Sequence, residues 1–328
     1  MKRKRLGLVF GGVVVTIALV AMSAMPAFAN AEGSFQRTLQ VSGPVNLDIS
    51  TGSGSIHVQT GTGNQVQVTG HIKVTDWFGT SADSKVKAIQ DNPPVQQSGN
   101  DIRIGRIEDP ELRRNVSISY DIVVPPNTQL TSHTGSGSQT IDGIQGVLEV
   151  GAGSGSLKVS NIGNTVRADT GSGSIEIEHV KGNVRAKTGS GSINARDVAG
   201  GFEGDTGSGH ITLEQTAPGA VRADTGSGGL DLRGVKGSLD AKAGSGNIHA
   251  EGAPSGSWTV HTGSGGVELR LPSDASFDIN AHTSSGSISL NHPVTVQGTI
   301  GRKEVHGKVR GGGVPVEVET GSGSIAIL

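Results

Sequence analysis

The chain has 328 residues, 53 of them glycine and only 3% aromatic, with no cysteine and a formal net charge of −2 from 27 basic and 29 acidic side chains. So even a balance excludes a global field drawing the molecule to nucleic acid or anionic lipid, and no basic patch interleaved with aromatics argues for a nucleic-acid partner. Without cysteine there is neither a disulfide nor a lipobox anchor, so an exported form is held together by its core alone.

In chain order, Lys2, Arg3, Lys4 and Arg5 precede an apolar run over 6–24 and two small-x-small sites, Ala27-Phe28-Ala29 and Ala29-Asn30-Ala31. This predicts a secretory signal peptide over residues 1–31, with a signal anchor as the alternative. No second membrane span follows, which places the mature chain in the periplasm, at the cell surface or outside the cell. Residues 32–132 read as a β-rich cap with one short helix. Alternating segments lie over 45–74, with an early Gly-Ser-Gly at Gly52. The helix is expected over 81–90, with Ser81 as its cap and Pro93-Pro94 just beyond its end. Strands are expected over 102–107 and 116–124, the second stopped by Pro125-Pro126.

Residues 133–328 form the repeat. Gly-Ser-Gly begins at Gly135, Gly153, Gly171, Gly189, Gly207, Gly226, Gly244 and Gly263, with a degenerate copy at Ser284 and an outlying one at Gly321. Counting from the first Gly, position −5 is apolar (Val166, Val184, Phe202), and so are +4 (Ile175, Ile193, Ile211) and +6 (Ile177, Ala195, Leu213). Polar residues alternate between them, so each repeat is two short strands on either side of a Gly-rich turn. The turn requires Gly for positive φ or for close approach of the next layer. Phe202 grows at −5 where −3 shrinks to Gly204, which reads as volume compensation in one layer. An antiparallel meander also fits two strands per repeat. The constancy of period and inward positions favours an all-β fold, a single-stranded β-solenoid of about 18-residue coils. Nine such coils would stack to about 40 Å. Between Ser284 and Gly321 there is room for two coils with one motif missing. The basic, Gly-rich stretch 301–313 reads as a loop or loose hairpin.

Several strings look chemical. Asp-Thr-Gly-Ser at Asp169, Asp205 and Asp224 matches aspartic proteases, which need two aspartates facing across a cleft. Here the Asp occupies position −2, which other repeats fill with Lys187, Lys242, His261 and His282, and a catalytic carboxylate is not interchangeable with lysine. Stacked coils would instead set Asp169, Lys187 and Asp205 side by side, and likewise Asp224 and Lys242. The Asp205–Asp224 step breaks that alternation. Turns followed by Ser, Gly, His or Asn lack the aspartate of calcium-binding solenoids. His261 and His282, expected in adjacent coils, have no third neighbour for zinc. No phosphate loop or nucleophile elbow occurs, and no cofactor is implied. The regular outer faces at −4 and +5, with Arg167, Arg185, Arg222 and Glu176, are the expected contact surface. Arg302 and Lys303 in the basic stretch are a further contact candidate against a solvated-loop reading.

The strand ending in proline and running into the turn over 118–138 (ISYDIVVPPNTQLTSHTGSGS), the iterated TGSGSI units at Thr170 and Thr188, and LDISTGSGSIHV over 47–58 together resemble the bacterial putative-adhesin family. That family is a domain-of-unknown-function group with β-strand repeats. The resemblance covers about residues 40–328, with the insertion over 81–94 as a departure. It implies an exported β-solenoid-like protein with a surface or adhesive role and assigns no catalytic residue. The expected function is therefore a non-enzymatic binding or scaffold module of the cell envelope, its partner an envelope protein or a surface polysaccharide. A periplasmic regulatory module acting through a protein partner and a carbohydrate-active β-helix enzyme are the alternatives.

Overall fold

A computed structural model describes residues 29–76, 81–105, 107–296 and 301–328. Most of the expected signal peptide, and Trp77 and Phe78, lie outside the described residues. The N-terminal strands are β1 (Ala29–Gln40), β2 (Val45–Thr51), β3 (Ile56–Thr60) and β4 (Gln65–Asp76), then helix α1 (Ala82–Asp91), β5 (Val95–Ser98) and β6 (Asp101–Ile104). Helix α2 (Pro110–Arg113) and β7 (Val116–Val124) complete this part. The repeats supply β8 (Thr128–Thr134), β9 (Gln139–Asp142), β10 (Leu148–Ala152), β11 (Leu157–Ile162), β12 (Val166–Thr170), β13 (Ile175–Val180), β14 (Val184–Thr188) and β15 (Ile193–Val198). They continue with β16 (Phe202–Thr206), β17 (Ile211–Gln215), β18 (Val221–Thr225), β19 (Leu230–Val235), β20 (Leu239–Ala243) and β21 (Ile248–Gly252). The chain ends with β22 (Trp258–Thr262), β23 (Val267–Arg270), β24 (Phe277–Thr283), β25 (Ile288–Leu290), β26 (Val294–Val296), β27 (Glu304–Val309), β28 (Val314–Thr320) and β29 (Ile325–Ile327).

Two sheets face each other across one core. Their orders are β1-β4-β7-β3-β9-β11-β13-β15-β17-β19-β21-β23-β29-β25 and β26-β27-β24-β28-β22-β20-β18-β16-β14-β12-β10-β8-β2-β6-β5. Each coil places one strand in each sheet, and successive coils pair in parallel without register change through most of the stack, as where Val166, Ala168 and Thr170 meet Val184, Ala186 and Thr188. The expected solenoid is therefore the fold, with twelve rungs rather than nine. The Gly52 and Gly321 copies are rungs in their own right, and β6 with β7 adds one that carries no Gly-Ser-Gly. At about 4.8 Å per rung the stack runs roughly 50 Å. The sheets run unbroken past position 132, which lies inside β8.

Period-two alternation buries Val166, Ala168, Ile175 and Ile177 and leaves Arg167 exposed, and every rung repeats it. Gly204 gives the Phe202 ring its place: a Cβ there would lie 2.7 Å from Cε1 of that ring. Trp258 is fully buried, and its indole N–H donates to the Gly237 carbonyl at 2.9 Å.

The turn motif has a compact explanation. Thr206 Oγ1 donates to the Gly191 carbonyl of the preceding rung at 2.8 Å and accepts from the Gly209 N–H of its own turn at 3.1 Å. Thr188, Thr225 and Thr262 do the same. The last Gly of each motif sits directly over the previous turn, so that a Cβ on Gly191 would run into the Gly173 carbonyl. Close approach, not positive φ, is what demands glycine here.

Both ends depart from simple stacking. At the N-terminus β1 pairs antiparallel with β4 along its whole length, and β4 with β7. Helix α1 closes this end with Val86 and Ile89 buried. Ser81 takes its N-cap position without a side-chain capping bond. A second helix, α2, also forms where one was expected, capped by Asp109, whose carboxylate accepts from the Glu111 N–H at 2.8 Å. At the C-terminus the last coil does not stack on its predecessor. Strands β28 and β29 insert between the β22–β23 rung and the β24–β25 rung. Residues 304–309 of the expected loop form β27, antiparallel to β24 and β26. His261 and His282 are consequently not rung neighbours: Glu319 lies between them, 3.4 Å from His261.

Candidate binding surface

On the outer face of the fifteen-stranded sheet, position −4 builds a column running Glu149, Arg167, Arg185, Glu203, Arg222, Asp240, Thr259. Position −2 builds a parallel column of Asp169, Lys187, Asp205, Asp224 and Lys242. Neighbouring charges neutralise one another along these columns. Arg185 Nη1 meets Glu203 at 2.9 Å and Lys187 Nζ meets Asp205 at 2.9 Å. The hydrogen bond to Asp205, and that residue's charge, hold the Lys187 ammonium above its usual pKa.

The adjacent Arg167 and Arg185 turn away from each other. Arg167 Nε reaches Asp169 at 3.0 Å and Glu149 at 3.8 Å, and its pKa is raised first by the bond to Asp169. Asp205 and Asp224 are rung neighbours, as expected from the sequence. Asp205 is held by Lys187, while Lys242 turns to Asp240 at 3.1 Å, where Arg222 also points at 3.7 Å. Asp169, Asp205 and Asp224 therefore lie along one face and do not confront one another across a cleft, which removes the geometry an aspartic dyad needs.

Alongside the −4 column the strands begin on small residues, Gly201, Ala220 and Ser238, with Pro218 and Gly219 at the corner. The result is a trough of about 990 Å³ across several rungs, walled by Arg185, Glu203, Arg222, Asp240 and Lys242. Two of the six sequence candidates, Arg185 and Arg222, line it. Arg167 stands in the same column but outside the trough. Glu176 lies on the opposite sheet, paired with Lys158 at 3.3 Å. Lys303 donates to the Ser284 carbonyl at 2.8 Å, and the Arg302 carbonyl accepts from Ile288 N–H, so both belong to the C-terminal end. Glu203 and Asp240 were missed from the sequence, although they share position −4 with the arginines. Among the described residues no group of three or more histidines and acids could hold a metal ion, and no helix is long and apolar enough to cross a membrane.

Among curated proteins none matches this chain. Two crystal structures are similar to it at low identity. One, described as a putative cell adhesion protein from Clostridium sporogenes ATCC 15579, shares 11% identity over 90% of this chain and 99% of that one, with a TM-score of 0.22. The other, described as a putative adhesin from Bacteroides fragilis NCTC 9343, shares 10% identity over 90% of this chain and 97% of that one, with a TM-score of 0.30. The family model described as Toastrack DUF4097 matches residues 164–328, from the β12 rung through the inserted last coil. With half its length matched and the whole of it built as stacked two-strand rungs, the chain belongs to the Toastrack DUF4097 family.

Proposed function

We propose that this chain is an exported, non-enzymatic module that binds or scaffolds at the cell envelope, and that the outer face of the fifteen-stranded sheet is its contact surface. The observation that carries this is the trough of about 990 Å³, where small residues open a channel between fixed side chains of both signs. Its carboxylates are engaged by neighbouring cations, an arrangement suited to complementary polar contact and not to general acid–base work, which needs a carboxyl of shifted pKa. Binding is spread over several rungs, and the preferred partner is an envelope protein or a surface polysaccharide with alternating charge or dense hydroxyls.

The test is a binding screen of the chain from Glu32 onward against envelope fractions, purified glycans and matrix proteins. Saturable binding that weakens about tenfold or more in the Arg185→Glu/Arg222→Glu double variant, and falls with added salt, supports the reading. A folded chain that binds none of these, or binds equally well with the double variant, overturns it.

A further inference from the structure

The lowest Gly-Ser-Gly turn has no second turn beneath it. Gly52 and Ser53 instead look onto β7, the segment around Gly105 and α2, and these enclose a cavity of about 630 Å³. That volume suits a small organic ligand. Tyr120 on β7 lines it, with only 1% of its surface exposed, and its hydroxyl has no hydrogen-bond partner. Buried hydroxyls are almost always satisfied, so this one marks a place where a partner belongs. Burial pushes its pKa well up, which keeps it a neutral donor.

The wall beside that hydroxyl is shaped by Gly105 at φ +94°, where a Cβ would come within 3.4 Å of the Tyr120 oxygen and would also strike the Ser50 carbonyl. Asn115, at φ +61°, holds the turn between α2 and β7 in the left-handed region. Such strain on a cavity wall is characteristic of binding sites. The lining also offers the hydroxyls of Thr75 and Ser117 and the Asn115 amide. Its charged members among the described residues are Lys73 and Arg113, and both are basic. Lys73 is 57% exposed, with Glu32 3.8 Å away on the outside.

We infer that this cavity binds a small hydroxylated carboxylate of the size of an acidic mono- or disaccharide. Lys73 and Arg113 hold its carboxylate, and a ligand oxygen at the floor accepts from Tyr120. The volume is too large for a bare oxyanion, and the mixed donors and acceptors of Thr75, Asn115 and Ser117 match sugar hydroxyls, which a simple anion lacks. The site lies in the N-terminal part of the stack and stands independently of the trough.

Calorimetric titration of the full mature chain with glucuronic acid, glucose and inorganic phosphate tests it. Glucuronate is expected to bind saturably, with glucose at least about tenfold weaker, and Arg113→Ala or Lys73→Ala is expected to cost about tenfold. Tyr120→Phe is expected to weaken glucuronate binding while leaving stability unchanged or higher, because it deletes an unsatisfied group. The Arg185→Glu/Arg222→Glu variant is expected to bind glucuronate as the unaltered chain does. Absence of glucuronate binding, affinity unaffected by Arg113→Ala or by Tyr120→Phe, or binding of phosphate alone would each overturn the proposal.

Discussion

Thr206 shows how much a single side chain contributes to joining rungs. Its hydroxyl donates to one rung and accepts from its own turn, and both backbone partners lie in the stack interior. Thr206→Val keeps the volume and strands the Gly191 carbonyl and the Gly209 N–H, which should cost about 1–3 kcal/mol. The natural alanines at the same column, Ala152 and Ala243, bound this effect: the stack accepts isolated losses. Leu213, with no exposed surface, is a packing position, and Leu213→Ala should cost more, about 2–5 kcal/mol. Local opening energies from hydrogen exchange around β17 check both values, because a long repeat array need not unfold in a single two-state step. A Thr206→Val variant indistinguishable from the parent would show that the threonine column is incidental to rung cohesion.

At the scale of elements, the strands of the regular rungs were legible because their code is local: inward residues at −5, −3, +4 and +6, and a turn with no room for Cβ. The strand over 116–124 and the helix near 82–91 were legible for the same kind of reason, each being bounded by proline. What was not legible depends on partners distant in sequence. Nothing in residues 314–328 says that they insert below a rung formed earlier in the chain, since their pattern would fit either place. The trough was only half visible, because its acidic wall, Glu203 and Asp240, occupies the same positions as the arginines that were singled out. The Tyr120 cavity was invisible, because it is assembled from β2, β4, β7 and α2. One element-scale consequence concerns β27, where His306 Nε2 lies 2.7 Å from Glu304 Oε1. The bond to His306, and its charge, lower the Glu304 pKa. A depressed carboxyl contributes stability above its unfolded pKa and loses it as pH falls through the folded value. NMR titration should therefore find Glu304 below the ordinary glutamate range, and His306→Gln should return it upward. An unmoved Glu304 would remove the pairing from β27.

For the whole molecule, each rung touches only its neighbours, so cohesion is a sum of rung and interface contributions and the ends are where a stack frays. This chain changes that expectation at its C-terminus. Strand β28 pairs with β22 on one side and β24 on the other, and β29 with β23 and β25, so the last residues of the chain are an interior rung. The threonine bonds record the same order: Thr320 reaches back to Gly265, and Thr283 reaches back to Gly323. The terminal Leu328 N–H donates to the Leu269 carbonyl at 2.8 Å. The chain end is thereby pinned, and the outermost rung, β24–β25, is tied to it at both ends by β27 and by the inserted coil. Hydrogen exchange should accordingly find the amides of β28 protected like those of the central β16 and β18, and more protected than those of β25 and β26 at the sheet edges. Deleting residues 314–328 should expose not one rung but two, because β24 and β25 lose their only parallel partners in the stack. Rapid exchange throughout 314–328, as in a frayed terminal coil, would contradict the inserted order. Retention of full β24 protection after the deletion would do the same, since β24 would then have had an independent seat on β22.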